Sequence, residues 1–108
     1  MHVEVLTFEG CPNGQRAIDL VHELAGELGV DLDMRETRVE SPEEAERLRF
    51  LGSPTIRVDE KDVEPGAEQR RDYVLACRVY RTPAGITGVP DRIWVQQALA
   101  AAAKPSTP

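Results

Sequence analysis

The amino-acid sequence predicts an α/β fold, a three-layer sandwich in which helices cover both faces of a four-stranded mixed sheet. The first observation is an almost uninterrupted apolar run at residues 3–8, which is typical of a buried strand. The second is a change of spacing between Ala17 and Leu28, where apolar residues recur every three or four positions, as on one face of a helix. Segments of these two kinds follow each other along the chain and give the order β-α-β-α-β-β-α.

The first part of the chain supplies a central strand, a helix and an edge strand. Residues 3–8 are apolar on both faces, which favours a position at the centre of the sheet. The first helix is expected to end at Gly29, because glycine readily adopts the left-handed conformation that closes a helix. A second strand at residues 31–39 has Leu32 and Met34 as its apolar residues, and its many charges indicate an edge position.

A second helix is predicted to begin at Ser41 and to end at Gly52. Ser41 can cap it, Pro42 has the backbone angle of a first helical turn, and Glu44 can complete a capping box. The third strand follows at residues 55–59. Residues 61–72 are too charged for a core and predict a polar connection.

A fourth strand and a third helix complete the predicted fold. Residues 73–80 have the pattern of a strand, with Leu75, Cys77 and Val79 on one apolar face. Asp91 is expected to cap the last helix. The buried side of that helix is predicted to carry Ile93, Trp94, Ala98 and Ala101. A right-handed βαβ unit followed by a hairpin gives the sheet order 2-1-3-4. We expect one domain at residues 1–103 and a frayed tail at residues 104–108.

The composition argues against several classes of function. The formal net charge of −6 disfavours a nucleic-acid binder, which needs a basic surface, and it disfavours binding to anionic membranes. No apolar run approaches the ~20 residues of a membrane-spanning helix, and the N-terminal residues lack the features of a signal peptide. The two cysteines lie far apart in the sequence, which fits a reducing compartment. The expected location is therefore the cytoplasm.

Cys11 is the main candidate for a chemically active residue, because it lies where the first strand leads into the first helix. Backbone N–H groups at a helix start favour the thiolate, which is the reactive form of cysteine. Glu9 opposes this effect with a like charge, and Arg16 is the nearest cation in the sequence. The alternative is a small apolar residue that only packs.

The element order, Cys11 at the first strand–helix junction and Ser53-Pro54-Thr55 at the start of the third strand resemble the thioredoxin fold. The chain resembles more closely a small group of thioredoxin-like proteins that carry Phe-Glu-Gly-Cys-Pro, Gly-Ser-Pro-Thr and Cys-Arg-Val-Tyr, and that are often labelled thioredoxin-family or alkylmercury-lyase-like. The resemblance implies a cis peptide bond before Pro54, beside Cys11. It also implies that the backbone of Ser53 pairs with an extended substrate.

The same resemblance implies a substrate-binding region made of Pro12, Asn13 and residues 53–55. One departure from the family pattern limits the chemistry. Thioredoxin-like disulfide reductases carry Cys-X-X-Cys, whereas Gly14 stands where the second cysteine would be. A mixed disulfide on Cys11 therefore cannot be released by a thiol of the same motif.

The other candidate ligands and nucleophiles are far from Cys11 in the predicted fold. Cys77 is separated from it by the third strand, roughly 10 Å at ~4.8 Å per strand spacing, beyond the ~7 Å limit for a disulfide, so a Cys11–Cys77 bridge would require movement or a different register. The place of Cys77 on an apolar face predicts a structural role, and the alternative is a resolving or metal-sharing thiol. His22 lies about 16 Å along the first helix, and His2 lies at the opposite end of the first strand. No zinc site of Cys and His ligands can be assembled from these residues.

Three functions remain compatible with the sequence. The favoured one is a monothiol thiol–disulfide oxidoreductase in which Cys11 acts on a thiol or disulfide substrate, an external thiol reduces it, and no cofactor takes part. The second is binding or cleavage of soft-metal or organomercurial compounds by Cys11 and Cys77. The third is a peptide-binding module without catalysis. A monomer or a weak homodimer is expected, because charges on the second strand oppose edge pairing.

Overall fold

The computed structural model describes residues 1–103, whose central element is a four-stranded mixed sheet. Its strands are β1 (His2–Thr7), β2 (Asp33–Arg38), β3 (Thr55–Val58) and β4 (Lys61–Asp62), in the order β2-β1-β3-β4. Strand β1 is parallel to β2 and antiparallel to β3, and β3 is antiparallel to β4. The predicted α/β class, strand number and strand order are confirmed. The predicted tail at residues 104–108 lies outside the described residues.

Three helices and a small hairpin surround the sheet. The helices are α1 (Gly14–Leu28), α2 (Pro42–Arg47) and α3 (Arg92–Ala102), and a 3-10 turn covers Ala67–Gln69. A separate hairpin is formed by β5 (Tyr80–Thr82) and β6 (Gly85–Thr87). None of the helices within residues 1–103 has both the length and the apolar character needed to cross a bilayer.

Two apolar clusters lie on opposite faces of the sheet, because neighbouring residues of a strand point to opposite sides. The cluster on one face joins the sheet to α1 and α3 and includes Val3, Val5, Val21, Leu24, Ile56, Val95 and Leu99. The cluster on the other face joins it to α2 and consists of Leu6, Val39, Ala45 and Phe50. The sandwich therefore has the three expected layers.

The end of α1 and the starts of α2 and α3 follow the sequence signals, whereas α2 ends at Arg47 instead of the predicted Gly52. Gly29 ends α1 at a φ of 66°, Ser41 Oγ accepts the Glu44 N–H at 3.1 Å, and Asp91 Oδ1 accepts the Ile93 N–H at 2.8 Å. The buried face of α3 differs from the prediction. Val95 and Leu99 are fully buried, whereas the side chain of Ile93 is 55% exposed. The helix is thus rotated, and one apolar residue near its start faces outward.

The predicted fourth strand at residues 73–80 is wrong, because β4 comes directly after β3. Asp59 and Glu60 form the turn between these strands, with φ angles of 47° and 72°. Two positive φ angles are the geometry of a tight hairpin turn, which asparagine and glycine normally supply. Neither residue type is present at these positions, so the sequence gives no hairpin signal there.

Residues 71–79 lie outside the strands of the sheet, apart from one parallel bridge between Ser53 and Cys77. The alternation of buried and exposed residues is opposite to the prediction. Cys77 is exposed and Val79 is 57% exposed, whereas Arg78 and Tyr80 are buried. A charged residue therefore occupies a core position that the apolar pattern assigned to its neighbours.

Arg78 can be buried because its guanidinium is paired on several sides. It donates to Asp62 at 2.7 and 3.2 Å, to Glu64 at 2.8 Å and to Thr55 Oγ1 at 3.0 Å. Its Cζ atom lies 4.4 Å from the centre of the Tyr80 ring. Burial disfavours the charge, but the hydrogen bond to Asp62 and the nearby negative groups outweigh it, so the pKa of Arg78 is raised. These contacts anchor residues 76–78 to β3 and β4.

Candidate functional site

Cys11 lies in the turn between β1 and α1 and is partly exposed. Its N–H donates to the Phe8 carbonyl at 3.2 Å, and Gly10 within this turn has a φ of 85°. Helix α1 begins at Gly14, and its N-cap is Asn13, without a capping side-chain hydrogen bond. Cys11 therefore precedes the N-cap by two residues. The Gly14 N–H donates to the Cys11 carbonyl at 3.4 Å.

The start of β3 lies beside the end of β1. Leu6 pairs with Thr55, and one step further the Phe8 N–H donates to Ser53 Oγ at 3.3 Å. The peptide bond between Ser53 and Pro54 is cis, as expected. The turn that carries Cys11 is thus fixed to Ser53 through Phe8.

The backbone of Ser53, for which the resemblance implies pairing with an extended substrate, is already paired within the chain. The Ser53 N–H donates to the Ala76 carbonyl at 2.8 Å, and the Ser53 carbonyl accepts the Arg78 N–H at 2.8 Å. These two bonds form the parallel bridge to Cys77. A substrate peptide would need the same donor and acceptor, so residues 76–78 occupy the position of an added strand.

Gly52 permits this close pairing. Its φ is 120°, and a Cβ at this position would lie 2.9 Å from Arg78 Cβ and 3.1 Å from the Ala76 carbonyl oxygen. A side chain would collide with residues 76–78. The backbones on the two sides can approach each other here because neither a methyl group nor a larger side chain separates them.

The residues predicted to bind substrate have different environments. Ser53, Pro54 and Thr55 are buried, and the Thr55 hydroxyl donates to the Gly52 carbonyl at 2.7 Å. Pro12 is exposed, and Asn13 is partly buried. Of these five residues, Pro12 and Asn13 are the two that present surface next to Cys11, and their binding role stays a prediction.

The loop before α3 packs against the side chain of Asn13. A Cβ added to Gly88 would lie 2.2 Å from Asn13 Nδ2, so the amide group packs directly on the Gly88 backbone. Asn13 Oδ1 also accepts a hydrogen bond from Arg16 at 3.3 Å. Asn13 is therefore held in place by packing and by its neighbour on α1.

The position of the missing second cysteine is crowded. Gly14 is buried, and a Cβ there would lie 3.1 Å from Thr7 Cγ2. The start of α1 approaches the end of β1 closely because Gly14 has no side chain. A cysteine at this position would crowd Thr7, whose Cγ2 would have to move by a few tenths of an ångström.

Cys77 lies on the other side of Ser53 from the Cys11 turn. Its bridge to Ser53 puts it next to the same residue that accepts the Phe8 N–H. The chain has only these two cysteines, and both have exposed surface. The structure thus brings both thiol-bearing residues to one end of the sheet.

The histidines do not contribute to this end of the sheet. His2 Nδ1 is 2.9 Å from Asp33 Oδ2, at the start of β1, and His22 is an exposed residue of α1. Among the residues that the structure describes, no group of three or more His, Cys, Asp or Glu side chains is arranged to hold a metal ion.

The structural importance of Arg78 was missed by sequence reasoning. The only signal was an arginine between two apolar residues in a predicted strand. Asp62 and Glu64, its partners, looked like members of a solvated acidic loop. A second arginine supports the same cluster, since Arg70 lies 3.0 Å from Glu64 and 2.7 Å from Asp72. The hydrogen bond from Arg70 lowers the pKa of Asp72.

Comparison of the chain with protein-family models, with curated proteins and with solved structures gives no match. Cys11, Ser53 and Cys77 together form the candidate site.

Proposed function

We propose that this chain is a thioredoxin-like thiol-exchange protein in which Cys11 is the attacking nucleophile. The observation that carries the proposal is an accessible thiol in a turn that is fixed to Ser53 through the Phe8 N–H, directly before the first residues of α1. A fixed turn keeps the sulfur in one place, and the partial positive charge at the start of α1 favours negative charge nearby.

The chemistry proposed for Cys11 is thiol–disulfide exchange. The Cys11 thiolate attacks one sulfur of a disulfide, forms a mixed disulfide and releases the other sulfur as a thiolate. Gly14 provides no second thiol within the motif, and a cysteine there would be crowded against Thr7. The mixed disulfide must therefore be released by a thiol from outside the Cys-Pro-Asn-Gly motif. A reducing compartment such as the cytoplasm would supply it, and we propose that location.

The substrate class proposed for this site is a small disulfide. An extended peptide normally gains affinity from backbone hydrogen bonds to a free sheet edge. Here the donor and acceptor of Ser53 are taken by Ala76 and Arg78, both at 2.8 Å. A small molecule that reaches Cys11 past Pro12 needs neither group, so residues 76–78 do not hinder it.

The test compares the two cysteines in the folded protein. Cys77 is exposed and Cys11 is only partly exposed, so accessibility alone predicts a faster reaction at Cys77. We expect the opposite, with Cys11 forming a mixed disulfide with a small aromatic disulfide several times faster at neutral pH. Stopped-flow absorbance of the released thiol measures the rates in the Cys77→Ser and Cys11→Ser variants, which are matched to each other.

The same measurement in concentrated urea is the control, because the two rates should converge once the fold is lost. A Cys77 rate equal to or above the Cys11 rate in the folded protein would refute Cys11 as the nucleophile. Circular dichroism of both variants establishes that each is folded during the measurement.

A further inference from the structure

The two thiol-bearing residues approach Ser53 from opposite sides. Phe8, which accepts the Cys11 N–H at 3.2 Å, is bound to Ser53 Oγ at 3.3 Å. Cys77 is the bridge partner of Ser53 on the other side. One residue therefore separates the Cys11 turn from Cys77, although 66 positions separate the cysteines in the sequence.

Cys77 lies in a segment outside the sheet that is held at several points. Two backbone hydrogen bonds tie its neighbours Ala76 and Arg78 to Ser53, the Val74 N–H donates to the Phe50 carbonyl at 2.9 Å, and no strand of the described sheet includes residues 71–79. The side chains of Val74 and Val79 are 46% and 57% exposed. An approach of Cys77 to the Cys11 turn requires the two hydrogen bonds to Ser53 to open locally, while the contacts of the Arg78 guanidinium persist.

Arg78 limits how far this segment can move. Its guanidinium is bound to Asp62 and Glu64 and is almost completely buried. When the two hydrogen bonds to Ser53 open, Arg78 holds the adjacent Cys77 near the end of the sheet. The displacement is then confined to a few residues around Cys77.

We infer that Cys77 is the resolving thiol for Cys11, so that the chain carries out a two-cysteine cycle across Ser53 instead of within one motif. This inference rests on the proposed function of Cys11. It also assigns a role to the exposed Cys77, which the structure places outside the apolar core.

A Cys11–Cys77 disulfide requires the two residues to approach each other over Ser53. Two strand spacings of ~4.8 Å separate Phe8 from Cys77 on either side of Ser53, and a disulfide requires Cα atoms within ~7 Å. Opening of the two hydrogen bonds between residues 76–78 and Ser53 would let Cys77 move toward the fixed Cys11 turn.

The proposed cycle is balanced in two exchange steps. In the first, the Cys11 thiolate attacks a small disulfide R–S–S–R, forming Cys11–S–S–R and releasing one R–S⁻. In the second, the Cys77 thiolate attacks the Cys11 sulfur, forming the Cys11–Cys77 disulfide and releasing the second R–S⁻. The substrate is reduced to two thiols, each of which takes up a proton from water. The protein loses two thiol protons and is oxidised to a disulfide, which an external dithiol reduces again.

The experiment counts released thiols. The fully reduced full-length protein, at low micromolar concentration, is mixed with less than one equivalent of an aromatic disulfide whose thiol absorbs visible light. We expect two thiols per disulfide consumed for the wild type, and a protein that is lighter by the mass of two hydrogen atoms. For Cys77→Ser we expect one thiol per disulfide and a stable adduct on Cys11. Cys77→Ala serves as a second variant, because Cys77 is exposed and either replacement leaves the core intact.

Three results would overturn the inference. One released thiol with a stable Cys11 adduct in the wild type would exclude Cys77 as the resolving residue and leave the proposed function of Cys11 in place. A disulfide-linked dimer on a non-reducing gel would show that resolution occurs between molecules. Absence of any Cys11 adduct in Cys77→Ser would remove the proposed function together with the inference. Peptide mapping of the oxidised wild type should recover the Cys11–Cys77 link.

Discussion

Tyr80 is a fully buried tyrosine whose hydroxyl donates to the Pro54 carbonyl. Its ring also lies against the guanidinium of Arg78 and, at 6.4 Å between centroids, against Trp94. Burial raises the pKa of Tyr80 well above its ordinary value, since the charged phenolate would be poorly solvated there. A single side chain thus connects the backbone beside Ser53 to α3.

The Tyr80→Phe substitution removes the hydrogen bond to the Pro54 carbonyl. It also removes the loss of stability at alkaline pH that ionisation of Tyr80 causes. At neutral pH we expect the free energy of unfolding to fall by about 1 kcal/mol, because the buried Pro54 carbonyl loses its donor. Unfolded tyrosine ionises near pH ~10, while the raised pKa keeps Tyr80 protonated in the folded state. The stability of the wild type is therefore intact below ~pH 10 and decreases as the pH rises further.

Urea denaturation at neutral pH and near pH ~11 measures both effects. The difference in the free energy of unfolding between the wild type and Tyr80→Phe should shrink or change sign at the higher pH. Tyr73→Phe, at a half-exposed tyrosine, is the control and should change the neutral value by less than ~0.5 kcal/mol. An undiminished difference at high pH would contradict the assigned cause.

For single residues, the sequence predicts which apolar side chains are buried better than it predicts which charged side chains are buried. The cis bond at Pro54 agrees with expectation. The exposure of Cys77 and the burial of Arg78 do not. Arg78 is buried only because Asp62 and Glu64 meet it, and the apolar pattern of a segment contains no information about such distant partners.

Among the elements, α1 is the one whose placement defines the Cys11 site. Its two glycines have opposite surroundings. A Cβ at Gly14 would lie 3.1 Å from Thr7 Cγ2, whereas a Cβ at Gly26 would meet no atom within 4 Å. The first glycine permits contact between helix and sheet, and the second has no such role.

Gly26→Ala and Gly14→Ala should therefore differ in sign. We expect Gly26→Ala to raise the free energy of unfolding by about 0.5–1 kcal/mol, because alanine loses less conformational entropy in a helix. Gly14→Ala should lower it by about 1 kcal/mol through crowding against Thr7. In the double variant Gly14→Ala with Thr7→Ser, which removes Cγ2, most of this loss should return.

Thermal or urea unfolding of the wild type and of the four variants, including Thr7→Ser alone, gives these free energies of unfolding. Equal stabilisation by both alanines would mean that α1 does not approach β1 at Gly14 as described.

The element boundaries show where sequence reasoning succeeds. The helix ends at Gly29, Ser41 and Asp91 were predicted because capping is a local property of a few adjacent residues. The position of β4 was not, because the turn at Asp59 and Glu60 uses positive φ angles without glycine or asparagine. Strand alternation in residues 73–80 then suggested a fourth strand in the wrong place.

The molecule as a whole carries a formal net charge of −6, and Glu9 adds a negative charge in the turn of Cys11. A surface of one dominant sign changes the local concentration of charged small molecules. The electrostatic potential of this surface acts when a substrate first approaches Cys11, before any exchange takes place.

A small cationic disulfide should therefore react faster with Cys11 than an anionic disulfide of similar size. At ~0.01 M salt, where the screening length is about 30 Å, we expect a ratio of roughly three to ten. The ratio should decline toward the intrinsic value in ~1 M salt, where the screening length is about 3 Å.

The rates of reaction of both disulfides with Cys11 are measured in the Cys77→Ser variant at several ionic strengths. The matched variant adds Glu9→Gln and so has one negative charge fewer. The same two disulfides reacting with a free small thiol give the intrinsic ratio. A protein ratio that does not depend on salt would contradict electrostatic steering.

For the whole molecule, the fold class and the strand order were predictable, because apolar periodicity determines which segments form strands and helices. The candidate site was only partly predictable. Cys11 stood out because it follows a strand and precedes a helix, but its relation to Cys77 depends on how residues 71–79 return to Ser53. That path is determined by the ion pairs of Arg78 and by the close approach at Gly52, neither of which is a local sequence signal.

The shortness of β4 has a consequence for association between copies of the chain. An outer strand of only two residues, Lys61–Asp62, offers a neighbouring polypeptide very few main-chain groups with which to continue the ladder. A lysine at that margin adds the cost of desolvating an ammonium group to any such contact. This side of the sheet is thereby protected against edge-to-edge aggregation, even when the protein is concentrated.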